Sequence, residues 1–125
     1  MRHQFLKYQL VFLLMIFSLS ACVQKTKKQE VTFYVNAKDV TEITSMNIRG
    51  QLPPLSWRKN YELIDTNKDS IYTAKIVFDV PYDFVEFKFV KNTNDYELKD
   101  QSNRRVYFDK SGKTEYKAIF NQVKE

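Results

Sequence analysis

A chain of 125 residues has room for one ordinary domain, and 43% hydrophobic with 15% aromatic residues lets it bury a core, which excludes a disordered polypeptide. The formal net charge of +5 is mild, and an N-terminus of the export type excludes nucleic acid as the expected partner.

That N-terminus is basic at Arg2, His3 and Lys7, then apolar without a break over residues 10–17, then small at Ser18, Ser20 and Ala21. The order is that of a secretory signal, and the run is shorter than the roughly 20 residues a membrane span needs. Leu19-Ser20-Ala21-Cys22 resembles the bacterial lipobox. The resemblance implies cleavage before Cys22 and a diacylglycerol on its thiol, with each buried CH₂ contributing about 0.8 kcal/mol to anchoring. Residues 1–21 are therefore read as a lipoprotein signal peptide, 22–29 as a lipidated tether and 30–125 as the domain. Cys22 is the single cysteine, so a lipidated mature chain forms no disulfide and depends on its core. Lys25, Lys27 and Lys28 read as a solvated tether that could meet anionic headgroups. Val23 is not the aspartate that resembles an inner-membrane retention signal, which favours the outer membrane within the cell envelope.

From Val31 the pattern turns to period two, with Val31, Phe33 and Val35 on one face of a half-buried strand. A short strand follows at 46–49, ended by Gly50. Two prolines make 51–57 irregular. Residues 61–64 form a short strand. Asp65-Thr66-Asn67-Lys68-Asp69 is a turn cluster. It begins like a calcium loop, but Ser70 and Ile76 stand where the glycine and bidentate glutamate are needed. Residues 71–80 alternate again, as do 84–90, where Val85, Phe87 and Phe89 share a face opposite Lys88. Short strands at 96–98, 105–108 and 116–120 complete the set. Seven or eight strands at this spacing predict an all-β, antiparallel, immunoglobulin-like β-sandwich.

Catalytic chemistry is scarce. His3, the single histidine, leaves with the signal, so the mature domain has no imidazole for a triad, a zinc site or a proton relay. Gly50 and Gly112 are the only glycines, too few for a phosphate-cradling loop. No cofactor, no metal and no enzyme activity are expected.

The residues from Val31 to Phe108 resemble the starch-binding module of glucoamylases and related amylases, carbohydrate-binding module family 20. Five pieces carry the likeness in order: Val31-Thr32-Phe33-Tyr34-Val35; Ile48-Arg49-Gly50 with Leu55-Ser56-Trp57; Ile71-Tyr72-Thr73-Ala74-Lys75-Ile76; Glu86-Phe87-Lys88-Phe89-Val90; and Asp95-Tyr96-Glu97-Leu98 with Asn103-Arg104. The resemblance implies an antiparallel sandwich that binds α-glucan (starch, glycogen or malto-oligosaccharide) without catalysis. It also implies Trp57 and Tyr96 as stacking platforms, with Lys88, Glu97 and Asn103 as polar contacts. Tyr96 stands where the family usually has tryptophan, which leaves less area to stack. The alternative expectation is a structural or protein-interaction lipoprotein that keeps the sandwich, binds no glycan and meets an envelope protein through a sheet edge.

Overall fold

The computed structural model describes residues 2–20 and 24–123. One helix, α1 (Arg2–Ser20), precedes eight strands: β1 (Lys27–Asn36), β2 (Met46–Gly50), β3 (Tyr61–Leu63), β4 (Ile71–Val80), β5 (Phe84–Lys91), β6 (Asp95–Tyr96), β7 (Arg104–Tyr107) and β8 (Lys113–Ile119). No 3.6-residue periodicity announces α1, because its central apolar run has no polar side. No helix of the described residues is long and apolar enough to cross a membrane. Cys22, which the sequence reading expects to be lipidated, lies outside the described residues.

The strands form two sheets. The first has the order β4-β1-β8; the second runs β3-β2-β5-β6, with β7 also paired to β5. Period-two alternation explains the layering. Along β1, Val31, Phe33 and Val35 face the second sheet and are fully buried, while Thr32, Tyr34 and Asn36 face outward. Phe87 and Phe89 of β5 answer them. The Phe33 ring lies 4.9 Å from Phe87, 6.5 Å from Phe89 and 6.4 Å from Phe78, edge-on to each. Such aromatic pairs add about 0.5–1.5 kcal/mol each beyond the area they bury. Every residue of the core cluster and its packed rim lies between Val31 and Phe120, so the sandwich closes without α1.

Register gives the molecule two ends. Lys27 of β1 pairs with Val80 of β4, and Glu30 with Lys113 of β8. Phe84, which opens β5 after a three-residue turn, pairs with Tyr107 at the close of β7. These residues form one end, the base, where residues 24–26 lead into β1. Asn36 opposite Ile71, Met46 opposite Lys91 and the β5–β6 turn form the other end, the top.

Two expectations are corrected. The sandwich is not antiparallel throughout, because β8 runs parallel to β1. A parallel neighbour needs a crossover rather than a hairpin, and β2 to β7 together provide it. Also, β1 begins at Lys27, inside the stretch read as tether. Ladder hydrogen bonds are made by the backbone, so polar side chains did not stop β1 from pairing with β4 back to its first residue.

Candidate functional site

The outer face of the five-stranded sheet carries the polar and aromatic residues of interest. Period two sends Ile48 and Gly50 inward and Arg49 outward on β2, and sends Glu86 and Lys88 outward on β5. Arg49 and Lys88 face each other across the ladder. Gly50 is required where β2 meets β5, since a Cβ there would lie 2.8 Å from Leu55 Cδ1 and 2.9 Å from the Glu86 carbonyl oxygen.

The loop after Gly50 presents the indole. Leu52 and Leu55 plug into the core, and the Leu55 amide donates to the Leu52 carbonyl at 2.8 Å. The Gln51 amide donates to the Glu86 carbonyl at 3.0 Å, and the Glu86 amide donates back to Gln51 Oε1 at 3.1 Å. Two buried leucines and this reciprocal pair fix the loop, and Trp57, two residues past Leu55, is left 38% exposed.

Arg49 joins that loop to Tyr96. Its Nη1 donates to the Tyr96 hydroxyl at 2.7 Å and to the Trp57 carbonyl at 3.3 Å, while the Tyr96 hydroxyl donates to the same carbonyl at 3.2 Å. Nε donates to Asn60 Oδ1 at 2.7 Å and Nη2 to the Thr93 carbonyl at 3.1 Å. The guanidinium carbon also sits 5.2 Å from the centre of the Tyr96 ring. A planar fork with several fixed partners holds its surroundings in one geometry. Asn60 Nδ2 adds a bond to the Thr93 carbonyl at 3.0 Å.

Lys88 is on the same face but engaged. Its ammonium donates to the carbonyls of Leu98 at 2.9 Å and Gln101 at 3.0 Å, which leaves one of three protons free of these carbonyls. Asn103 is exposed, with Nδ2 3.5 Å from Glu86 Oε2. Glu86 itself is bonded by Arg105, and that hydrogen bond holds its carboxyl below the usual range and raises Arg105. Tyr96, Arg49, Lys88, Glu86 and Asn103 therefore lie along one face, with the Trp57 carbonyl held at the Tyr96 end. Beside Tyr96 an open groove of about 670 Å³ is walled by Lys91, Asp95, Gln101 and Asn121.

Glu97 is a correction. The resemblance implies a sugar contact, but the side chain is fully buried. Its carboxylate accepts from Arg104 Nε at 2.7 Å and Nη2 at 2.8 Å, from the Phe89 amide at 2.9 Å and from the Asn121 amide at 3.0 Å. Arg104 Nη2 reaches on to the carbonyls of Ile119 at 3.0 Å and Gln122 at 2.7 Å. Burial alone would lower the Arg104 pKa; the bonds to Glu97 and Tyr116 outweigh it and raise it. The pair fastens the chain after β6 to the end of β8.

Arg49, Asn60 and Arg104 escaped the sequence reading. Arg104 had a signal, since period two puts it on the inward face with Val106, and a buried arginine requires a carboxylate. For Arg49 the same rule gives only an outward direction. Among the described residues no three histidine, cysteine, aspartate or glutamate side chains gather to hold a metal. Asp65 caps its own turn, accepting from the amides of Asp69 at 3.1 Å and Ser70 at 2.9 Å. No protein-family model matches this chain, and no curated protein matches its sequence.

Proposed function

We propose that this chain is an immunoglobulin-like, starch-binding-module-like lipoprotein of the cell envelope, held through Cys22, that binds α-glucan without catalysis. The observation that carries the reading is an exposed Trp57 whose backbone carbonyl shares the guanidinium of Arg49 with the hydroxyl of the half-buried Tyr96. Flat rings suit the C–H faces of glucose. Stacking buries apolar area, and each ring has only two rotatable angles to lose.

Trp57 and Tyr96 act as platforms. Lys88 has one proton left for a sugar hydroxyl, and Asn103 offers an amide at the other side of the face. Glu97 serves the scaffold and touches no sugar. A shallow site with these few contacts binds weakly, with Kd on the order of 10 μM to 1 mM. The outer membrane is the favoured location.

The test is sedimentation of residues 24–125 with insoluble starch, beside Trp57→Ala and Tyr96→Ala, with Trp57 fluorescence read on adding maltoheptaose. The wild-type domain should pellet and its emission shift, and each variant should remain in the supernatant. Wild type left in the supernatant, or three proteins pelleting equally, refutes glucan binding.

A further inference from the structure

We infer that the base of the sandwich is a docking surface for an anionic bilayer leaflet, which would stand the strands upright on the lipid with the loops of the top farthest from it. The inference rests on anchoring at Cys22.

Three segments meet at the base: residues 24–28 at the start of β1, 79–83 at the β4–β5 turn and 109–113 at the start of β8. They carry five lysines and three aspartates. All five lysines are exposed. Asp109 accepts from the Ser111 amide at 3.0 Å and keeps its charge, so five cations stand against three anions. The three loops at the top, residues 37–45, 64–70 and 91–101, carry four lysines and seven carboxylates, one of them the Glu97 paired with Arg104. The domain is therefore polarised along its strands, positive where the tether enters and negative at the far end.

The base also exposes aromatic rings of the kind that settle at a headgroup layer. Tyr82 in the β4–β5 turn is 55% exposed and Tyr107 at the end of β7 is 61% exposed. A phenol presents an apolar body and a polar tip, which suits that boundary.

Geometry supplies the third argument. Lys27 already pairs in β1, five residues after Cys22. Five extended residues span at most about 17 Å, so the lysines cannot drift far from the surface that holds the lipid. Each lysine near an anionic surface strengthens partitioning about fivefold, and added salt weakens the effect.

The test uses residues 24–125, whose core closes without α1, and vesicles of phosphatidylglycerol with phosphatidylcholine or of phosphatidylcholine alone. The domain should pellet with the mixed vesicles only, and Lys27→Gln, Lys28→Gln and Lys113→Gln should each reduce partitioning about fivefold. Lys38→Gln, Lys68→Gln and Lys99→Gln at the top should leave it unchanged. Equal binding to both vesicles, or equal losses at the two ends, overturns the proposal. Orientation is read on the full lipidated chain with brominated lipid. In a Trp57→Phe background, Tyr82→Trp at the base should be quenched and Ile64→Trp at the top, an exposed position, should not; the reverse pattern also overturns it. The anchor is tested separately by fractionating cells that make Cys22→Ser. If that variant stays in the membrane fraction as wild type does, lipid anchoring fails, while the vesicle result judges the docking surface by itself.

Discussion

Replacing Glu97 by glutamine exchanges one atom, keeps the shape and removes the negative charge that faces Arg104. The carboxylate accepts four bonds, from Arg104 Nε and Nη2 and from the amides of Phe89 and Asn121. An amide brings two donors into a cavity already filled with donors, so at least one bond turns repulsive. The guanidinium keeps its carbonyl partners at Ile119 and Gln122 but stays buried without a counter-ion. Breaking one side of a buried pair costs about 3–5 kcal/mol. In a domain of this size 1 kcal/mol moves the thermal midpoint by about 4–8 °C, so Glu97→Gln should lower it by roughly 12–40 °C. Circular dichroism melting of residues 24–125 measures this directly. The double substitution Glu97→Leu with Arg104→Met should recover most of the loss, because an apolar pair of similar volume leaves no charge inside. A midpoint within about 4 °C of wild type for Glu97→Gln would refute the scaffold role. Weakened starch binding in that same protein would return Glu97 to the sugar site.

Other substitutions separate presentation of the rings from stability. Gly50→Ala forces a Cβ against Leu55 and the Glu86 carbonyl; overpacking of this kind costs about 1–3 kcal/mol, visible as a lower urea midpoint with an unchanged slope. Arg49→Met keeps the aliphatic stem but releases Tyr96 and the Trp57 carbonyl; maltoheptaose affinity by calorimetry should fall about tenfold, while stability falls by no more than about 2 kcal/mol. An unchanged affinity would show that the rings need no clamp. Acid should also destabilise the fold. Hydrogen bonds from Arg105, Lys99 and Ser111 hold Glu86, Asp95 and Asp109 below their ordinary values of 4.5, 3.8 and 3.8. Carboxylates lowered on folding contribute stability above the unfolded value and lose it as pH falls through the folded one. The thermal midpoint should therefore be flat from about pH 8 to 5 and drop below about pH 4; a decline starting near neutrality would contradict that assignment.

Alternation made most of the strands legible. Val31, Phe33 and Val35, like Val85, Phe87 and Phe89, declare their inward face, and the residues between them declare the outer one. What alternation cannot give is the partner of a strand. Nothing local to residues 113–119 says that they run beside β1 in the same direction, since that pairing joins positions 83 residues apart, Glu30 and Lys113. The site was legible to the same degree. Lys88 could be placed on the outer face from Phe87 and Phe89 on either side, whereas the position of Trp57 beside a proline turn left core and surface equally open. Glu97 could not, because a glutamate just after a turn looks solvated until Arg104 is brought over it from another strand. Arg49 was hidden for a related reason, its role resting on Asn60, Thr93 and Tyr96, residues far apart in the chain.

The position of β1 has a consequence for how the protein is made. Its first strand lies in the middle of a sheet whose flanks, β4 and β8, come from the middle and the very end of the chain. A polypeptide delivered N-terminus first, whether from a ribosome or through a pore, leaves one side of β1 bare until Lys113–Ile119 has emerged. Pairings this distant in sequence form slowly. The last strand is thus a clasp, and the sequence stays threadable until it arrives.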